Sequence, residues 1–354
     1  MTNTLEDAIS EGVILGMGNP LLDISAAVSE EVLSKYGLEP NNAILAEENH
    51  MPLYEELAAE DGVIYIAGGA TQNSIRVAQW MLQEEKSTSY FGAIGDDEFG
   101  KRMTSCCEED HVNVQYYVNP EIPTGTCAVV ITGNNRSLVA NLSAANTYKI
   151  DHLKDQKQWS VVEKAKIFYT AGFFLTVSPD SMMAVGKHAA EHKKIMSFNL
   201  SAPFLMQVPP FFEAMKNLLP FVDICFGNET EAGVLSEAMG WNAKKVEDIA
   251  KLLAQYTKET SRPRTVVFTQ GSSSTIVVVG DESRIWTVDH YPVTPIKAAN
   301  IVDTNGAGDA FVGGFLSGLA KGSMIEKCVD RGHYAANVII QQSGCAFPGK
   351  PTYS

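Results

Sequence analysis

Short β-prone runs alternate with amphipathic segments of helical length along most of this chain, and that alternation narrows the possible folds more than any other feature. The runs Ser89 to Ile94, Lys166 to Ala171, Ile195 to Asn199, Asp223 to Phe226 and Thr265 to Thr269 mark the β positions. Strands separated by helices pair in parallel, and both faces of such a sheet need covering. The pattern therefore predicts a three-layer α/β/α sandwich with a mainly parallel central sheet. The unit from Val63 to Gln83 shows the logic: VIYIA reads as a strand, Gly68-Gly69 as a tight turn, and Ile75, Ala78 and Leu82 recur at helical spacing. Residues 20–67 and 114–146 break the rhythm, with β-prone runs such as Cys127 to Thr132 and Ser137 to Asn141 set between turn residues. They are expected to form one small antiparallel, β-rich lid from two separated pieces, leaving 1–19, 68–113 and 147–354 to the large α/β unit.

Composition bounds the partners. With 354 residues, 45% of them hydrophobic and 19% charged, the chain can bury a large core, and disorder is excluded. A formal net charge of −15 repels nucleic acid and anionic membranes at long range, so neither is expected as a partner. A nucleotide held by local donors and Mg²⁺ remains compatible with that charge. The opening MTNTLEDAISEG has no cationic segment ahead of an apolar one, and no run approaches the roughly 18 apolar residues of a membrane span. A soluble cytoplasmic protein is expected, nuclear presence being compatible. Cys106, Cys107, Cys127, Cys225, Cys328 and Cys345 include no C-x-x-C pair, so zinc cages and dithiol redox sites are unsupported. They read as small core residues.

Chemistry concentrates in Asp303-Thr304-Asn305-Gly306-Ala307-Gly308-Asp309, which runs straight into the apolar stretch AFVGGFLSGLAKG. A small-residue loop opening a helix lets the amides of Gly306, Ala307 and Gly308 converge as an anion site. Asp309 falls in the first turn. An acid there complements the helix dipole by about 0.3–1 kcal/mol, but beside a donor-rich loop it is also where a phosphoryl transfer to an alcohol needs its base. Near the N-terminus, Val13 to Asp23 reads VILGMGNPLLD. It fails as a dinucleotide fingerprint, because Leu21 stands where the third glycine belongs and Pro20 interrupts the helix. What remains is a strand, a glycine turn and an acid, a set suited to gripping hydroxyl groups. The segment Gly95 to Arg102, GDDEFGKR, nearly matches a phosphate loop but puts Arg102 where a hydroxyl belongs and three acids where a neutral cradle belongs. It reads as a structural turn after the strand STSYFGAI.

DTNGAGDAFVGGFL is similar to the second signature of the ribokinase-like, or PfkB-type, carbohydrate kinases at every constrained place, and AGGATQNSIRVAQW resembles their N-terminal signature. Within that family, GMGNPLLDIS, PTGTCAVVITGNNRSLVANLSAAN, AGFFLTVSP, NLSAPF, FGNETEA and GHYAA resemble the branch that acts on adenosine, and the likeness runs from about Val13 to Pro351. The resemblance implies ATP-dependent phosphorylation of the 5′-hydroxyl of adenosine to give AMP and ADP, a purine-salvage reaction, by a monomer using ATP and Mg²⁺. It casts Asp309 as the base, with the Gly306, Ala307 and Gly308 amides and Arg136 holding the charge on the transferring phosphoryl group. Asp23 would take the ribose 2′ and 3′ hydroxyls, with Asn19, Gly68, Gly69, Asn73 and Asn305 around the same substrate. Leu45, Cys127, Leu138, Leu142 and Phe174 would form the base pocket. Asn228, Thr269, Gly271, Asp303 and Thr304 would lie along ATP, and Asn228 with Glu231 would organise Mg²⁺ through water. The alternatives are a family kinase for another ribonucleoside or sugar, and a non-catalytic purine-nucleoside binder. A free-sugar kinase would want polar groups in the pocket, whereas a nucleoside kinase needs apolar ones.

Overall fold

The computed structural model describes residues 9–40, 42–133 and 135–353; the first eight residues, which carry most of the N-terminal segment considered above, lie outside it. In chain order the strands are β1 (Ile14–Met17), β2 (Leu21–Ala27), β3 (Ala43–Leu45), β4 (Ile64–Gly68), β5 (Thr88–Gly95), β6 (Asn113–Asn119) and β7 (Thr126–Thr132). They continue with β8 (Asn135–Asn141), β9 (Ile167–Ala171), β10 (Ile195–Asn199), β11 (Ile224–Asn228), β12 (Arg264–Gln270), β13 (Ser273–Asp281) and β14 (Arg284–Tyr291). Nine of them form one sheet in the order β14-β13-β12-β11-β10-β9-β1-β5-β6. All its pairings from β12 to β6 are parallel, and only the β12–β13 and β13–β14 pairs are antiparallel. Strand β1 is buried end to end and divides its side chains by the period-two rule: Leu15 and Met17 join the core on one face, Ile14 that on the other.

The other five strands make a second sheet, β3-β8-β7-β2-β4. It differs from the expected lid in two respects. Its pairing is mixed, with β2–β7 and β3–β8 parallel and β2–β4 and β7–β8 antiparallel. Two pieces far apart in sequence need not meet as hairpins, and only β7–β8 is one. Residues 114–119, expected in the lid, instead belong to edge strand β6 of the large sheet, in register with β5 from Ser89↔Asn113 to Gly95↔Asn119. After the helix Glu98–Glu109 the chain returns by an ordinary βαβ crossover, and the rhythm breaks only at Pro120. Strand β4, read as part of the parallel rhythm, pairs antiparallel with β2, and the helix Ala70–Leu82 that follows it packs on the large unit.

The small sheet packs one apolar face against helices and turns the other over a cavity. Ile24, Ala26, Ala128, Val130 and Val139 pack against Leu33, Tyr36, Leu53, Tyr54 and Leu57 from the helices Glu30–Tyr36 and Met51–Ala58. The alternate residues, among them Cys127, Val129, Leu138 and Ala140, face the other way, over a cavity. Beneath that cavity lie the helices Ala70–Leu82 and Ala307–Ala320, packed so closely that a Cβ on Gly313 would come within 2.5 Å of the Ser74 carbonyl. No helix among the described residues is long and apolar enough to cross a membrane. The cysteines are all free, and all but Cys106 are buried.

Candidate active site

Two cavities meet at one carboxylate. The larger, about 600 Å³, lies between the small sheet and the large unit; the smaller, about 130 Å³, lies beyond the carboxyl ends of β10 to β12. Asp309 lines both. It stands in the first turn of the helix Ala307–Ala320, whose N-cap Gly306 has φ +78°, a left-handed conformation that glycine adopts without strain. The Ala307 amide donates to the Thr304 carbonyl at 3.2 Å, while the amides of Gly306 and Gly308 find no acceptor among the described residues. Of the three expected anion donors, Gly306 and Gly308 are thus available and Ala307 is engaged. Burial pushes the Asp309 carboxyl up to about 6, opposed by the hydrogen bond that Asn73 Nδ2 donates to Oδ2 at 3.1 Å. Asp309 lines both cavities and is half-buried.

Asp23, on β2, lines the larger cavity. Its carboxyl is pushed up to about 7 by burial, with Asp309 and Asp303 adding to the effect and Arg76 opposing it. The glycine pair at the end of β4 has a steric reason. A Cβ on Gly68 would stand 2.5 Å from Asp23 Oδ1, and one on Gly69, at φ +97°, would collide with the Asn19 carbonyl. Three amide atoms in this cavity's walls, Asn19 Oδ1, Asn73 Oδ1 and Asn305 Nδ2, are buried without a partner among the described residues. Buried polar groups are rarely left so, and three around one cavity call for a polar ligand. Leu45, Cys127, Leu138, Leu142 and Phe174 line the same cavity, so its wall carries both polar and apolar groups.

Arg136 comes over from β8, its Nε 3.0 Å from Asp303 Oδ1 and its Nη2 donating to the Val302 carbonyl at 3.2 Å. Asp303 also accepts from the Asn305 amide at 2.9 Å and the Gly344 amide at 3.0 Å. It lines the larger cavity, although the sequence reading put it along ATP. The smaller cavity gathers Asn228, Glu231, Thr269 and Gly308. Asn228 and Glu231 form a capping box on the helix Glu229–Ala238: Asn228 Oδ1 accepts from the Glu231 amide at 2.9 Å, and the Glu231 oxygens accept from Asn228 N at 3.0 Å and Nδ2 at 2.9 Å. Burial pushes the Glu231 carboxyl up to about 7, opposed by the Asn228 amide. Thr304, Ala307, Gly68 and Gly271 line neither cavity; Gly271 turns β12 into β13 at φ +55°.

Known proteins resemble this chain over nearly its whole length. Residues 31–352 match the pfkB family carbohydrate kinase domain. Adenosine kinase 2 of Arabidopsis thaliana is 53% identical, the alignment covering 97% of this chain and 98% of that protein. The chain belongs to the pfkB family, among its adenosine kinases. The structure of Anopheles gambiae adenosine kinase in complex with P1,P4-di(adenosine-5) tetraphosphate superposes with TM-score 0.91 at 44% identity, covering 97% of this chain and all of that one. Schistosoma mansoni adenosine kinase in complex with 2-fluoroadenosine gives TM-score 0.91 at 35% identity, covering 97% and 99%.

Reading the pfkB motifs did not single out Arg76. This cation is 3% exposed, pairs with Asp110 at 2.6 Å, donates to the Ala67 and Cys345 carbonyls at 2.8 and 3.1 Å, and opposes the upward push on Asp23. Its only sequence signal is an arginine between Ile75 and Ala78 on a helix face that is otherwise buried. Phe173 and Phe204, which add aromatic area to the larger cavity, and Asn199 and Ser201, which line the smaller, were also not assigned roles.

Proposed function

We propose that this chain transfers the γ-phosphoryl group of ATP to the 5′-hydroxyl of adenosine, giving AMP and ADP, with the larger cavity taking the nucleoside and the smaller one the phosphate end of ATP. The observation that carries this reading is the position of Asp309 in the wall of both cavities, beside two unengaged helix-terminal amides. A base at that junction reaches an acceptor hydroxyl from one side while the amides face the transferring group from the other.

The mixed lining of the larger cavity supports a nucleoside over a free sugar. The unpartnered Asn19, Asn73 and Asn305 atoms and the Asp23 carboxylate suit ribose hydroxyls, and the apolar lining residues suit a purine ring. Asp23 accepts from hydroxyl donors best when ionised, and ligand hydrogen bonds would draw its proton off. Asn73 positions Asp309 through the 3.1 Å bond. Arg136 lines neither cavity but reaches Asp303 in the larger cavity's wall from the small sheet, so its charge would approach the phosphoryl group only as that sheet closes over the cavity, which would also exclude water.

Among the described residues no cluster of three or more acids, histidines or cysteines gathers to hold a metal, and both Glu231 oxygens are occupied by Asn228. The residues therefore fit Mg²⁺ arriving on ATP with most of its water shell, Glu231 anchoring that shell from outside. Bound there, the ion would supply charge neutralisation of the ATP phosphates.

The test is a coupled assay for ADP with adenosine, inosine, ribose or no acceptor, on wild type and Asp309→Asn. Adenosine is expected to be preferred, and the variant to lose about 10²–10⁴ in rate while still binding adenosine. Preference for ribose or inosine would overturn the substrate assignment; an unchanged rate in the variant would remove Asp309 from the chemistry.

A further inference from the structure

The segment Gly95 to Gly100, whose likeness to a phosphate loop fails, grips a piece of the chain itself. Asp97 is the N-cap of the helix Glu98–Glu109, its Oδ1 accepting from the Gly100 amide at 2.8 Å. The same oxygen accepts from the Thr124 hydroxyl at 2.6 Å, and Oδ2 accepts from the Thr124 amide at 2.7 Å. The Gly95 amide in turn donates to Thr124 Oγ1 at 3.0 Å. A Cβ on Gly95 would lie 2.6 Å from both the Ile122 carbonyl and the Thr124 amide, and one on Gly100 would lie 2.9 Å from Thr124 Oγ1. The two glycines and the acid thus share one explanation: together they form a socket for Thr124, which is 3% exposed.

Thr124 sits where the chain crosses into the small sheet. The Pro123 carbonyl accepts from the Ala144 amide at 2.9 Å and the Ser143 hydroxyl at 2.6 Å, which holds the exit from β8. The Gly125 carbonyl accepts from the Leu22 amide at 2.9 Å, which holds the entry to β2. Residues 123–125 are therefore common to three crossings, and β7 begins immediately after them. From there Cys127 and Val129 reach the nucleoside cavity, and the β7–β8 hairpin carries Arg136 to Asp303.

We propose that Asp97 is a positioning residue: the Gly95-Asp97-Gly100 socket holds Thr124 fixed on the large unit and so sets where the small sheet pivots over the nucleoside cavity. Asparagine cannot replace it, because its amide group would face a hydrogen-bond donor where the carboxylate accepts three bonds. The inference rests on the phosphoryl-transfer reading above only for its activity readout.

The test compares wild type with Asp97→Asn, Thr124→Val, the double variant and Thr124→Ser, counting AMP and ADP formed from ATP with and without adenosine. Asp97→Asn and Thr124→Val are each expected to lower kcat/KM for adenosine by about 10²-fold, with KM for ATP changed less than about twofold. AMP formed per ADP should fall below parity as water takes the phosphoryl group from a badly closed site. The double variant should be no worse than either single one, and Thr124→Ser, which keeps the hydroxyl, should behave as wild type. Equal losses toward both substrates with AMP and ADP still at parity would mark a general weakening of the fold and overturn the proposal. Hydrogen exchange over residues 119–127 is followed in parallel: faster exchange centred there in Asp97→Asn and Thr124→Val is required, and unchanged exchange overturns the socket. If the wild type forms no AMP, the functional reading falls and the exchange experiment alone decides.

Discussion

Asp23, Asp309 and Glu231 are three acids held where burial favours their neutral forms, pushed up to about 7, about 6 and about 7. A carboxyl raised above its unfolded value binds more protons in the folded state, so its stabilising effect is complete below the unfolded value near 4 and is lost as pH rises through 6 to 7. At pH 8 the empty protein therefore bears the cost of ionised, buried acids. Asp23→Asn is expected to melt higher than wild type at pH 8, by about 2 °C or more, while losing affinity for adenosine. A thermal scan in which the variant melts lower would show that the carboxylate stabilises the empty fold. On the proposed reading catalysis has the opposite slope, because Asp309 would act ionised: kcat/KM should fall about tenfold per pH unit below about 6. The position of Asp309 was legible in the sequence because a glycine-rich loop opening an apolar helix puts the next acid in the first turn, beside the loop amides. Arg76 was not, because helical periodicity alone does not tell a buried, carbonyl-bonded arginine from a solvated one.

Among the elements, the parallel core was legible for a physical reason: strands buried on both faces read as continuous apolar runs, and β5 is buried from Thr88 to Gly95. The edges were harder. Strand β6 is only half-buried along most of its length, so its pattern resembles that of a lid strand, and only its register with β5 assigns it. The pairing in the small sheet was likewise beyond local reading, since β2 and β7 meet across a long stretch of intervening chain. Glycines inside the helix Ala307–Ala320 were legible as packing sites, and the structure gives the partners: Ser74 and Val77 for Gly313, Arg331 and Ala335 for Gly314. Gly313→Ala gains about 1 kcal/mol of helix propensity yet drives a methyl into a backbone carbonyl, so a net loss of about 1–3 kcal/mol is expected in urea unfolding. A stabilised variant would mean that the two helices can separate at little cost.

For the whole molecule, the −15 charge gives a test that separates the two substrates. ATP and the protein repel each other at long range, whereas adenosine is neutral. Raising ionic strength from about 0.01 M to about 0.15 M shortens the screening length from about 30 Å to about 8 Å. It should raise kcat/KM for ATP while leaving that for adenosine nearly unchanged, as stopped-flow or steady-state rates would report. A fall for ATP would place a local cluster of cations at the entrance in control of the encounter.

The small sheet's assembly also bears on how the chain comes off the ribosome. Strand β2 is made early, yet one of its two neighbours, β7, is made only after β5, the helix Glu98–Glu109 and β6. Until then an apolar strand with an unpaired edge waits in the nascent chain, the kind of segment that pairs with the wrong partner when crowded. The roof of the larger cavity therefore closes only when chain from both ends of that interval is present, and the cavity's floor, with Asn305, Asp309 and Gly344, is made later still. An interrupted translation product ending before β8 would carry three strands of the large sheet and an incomplete roof for the larger cavity.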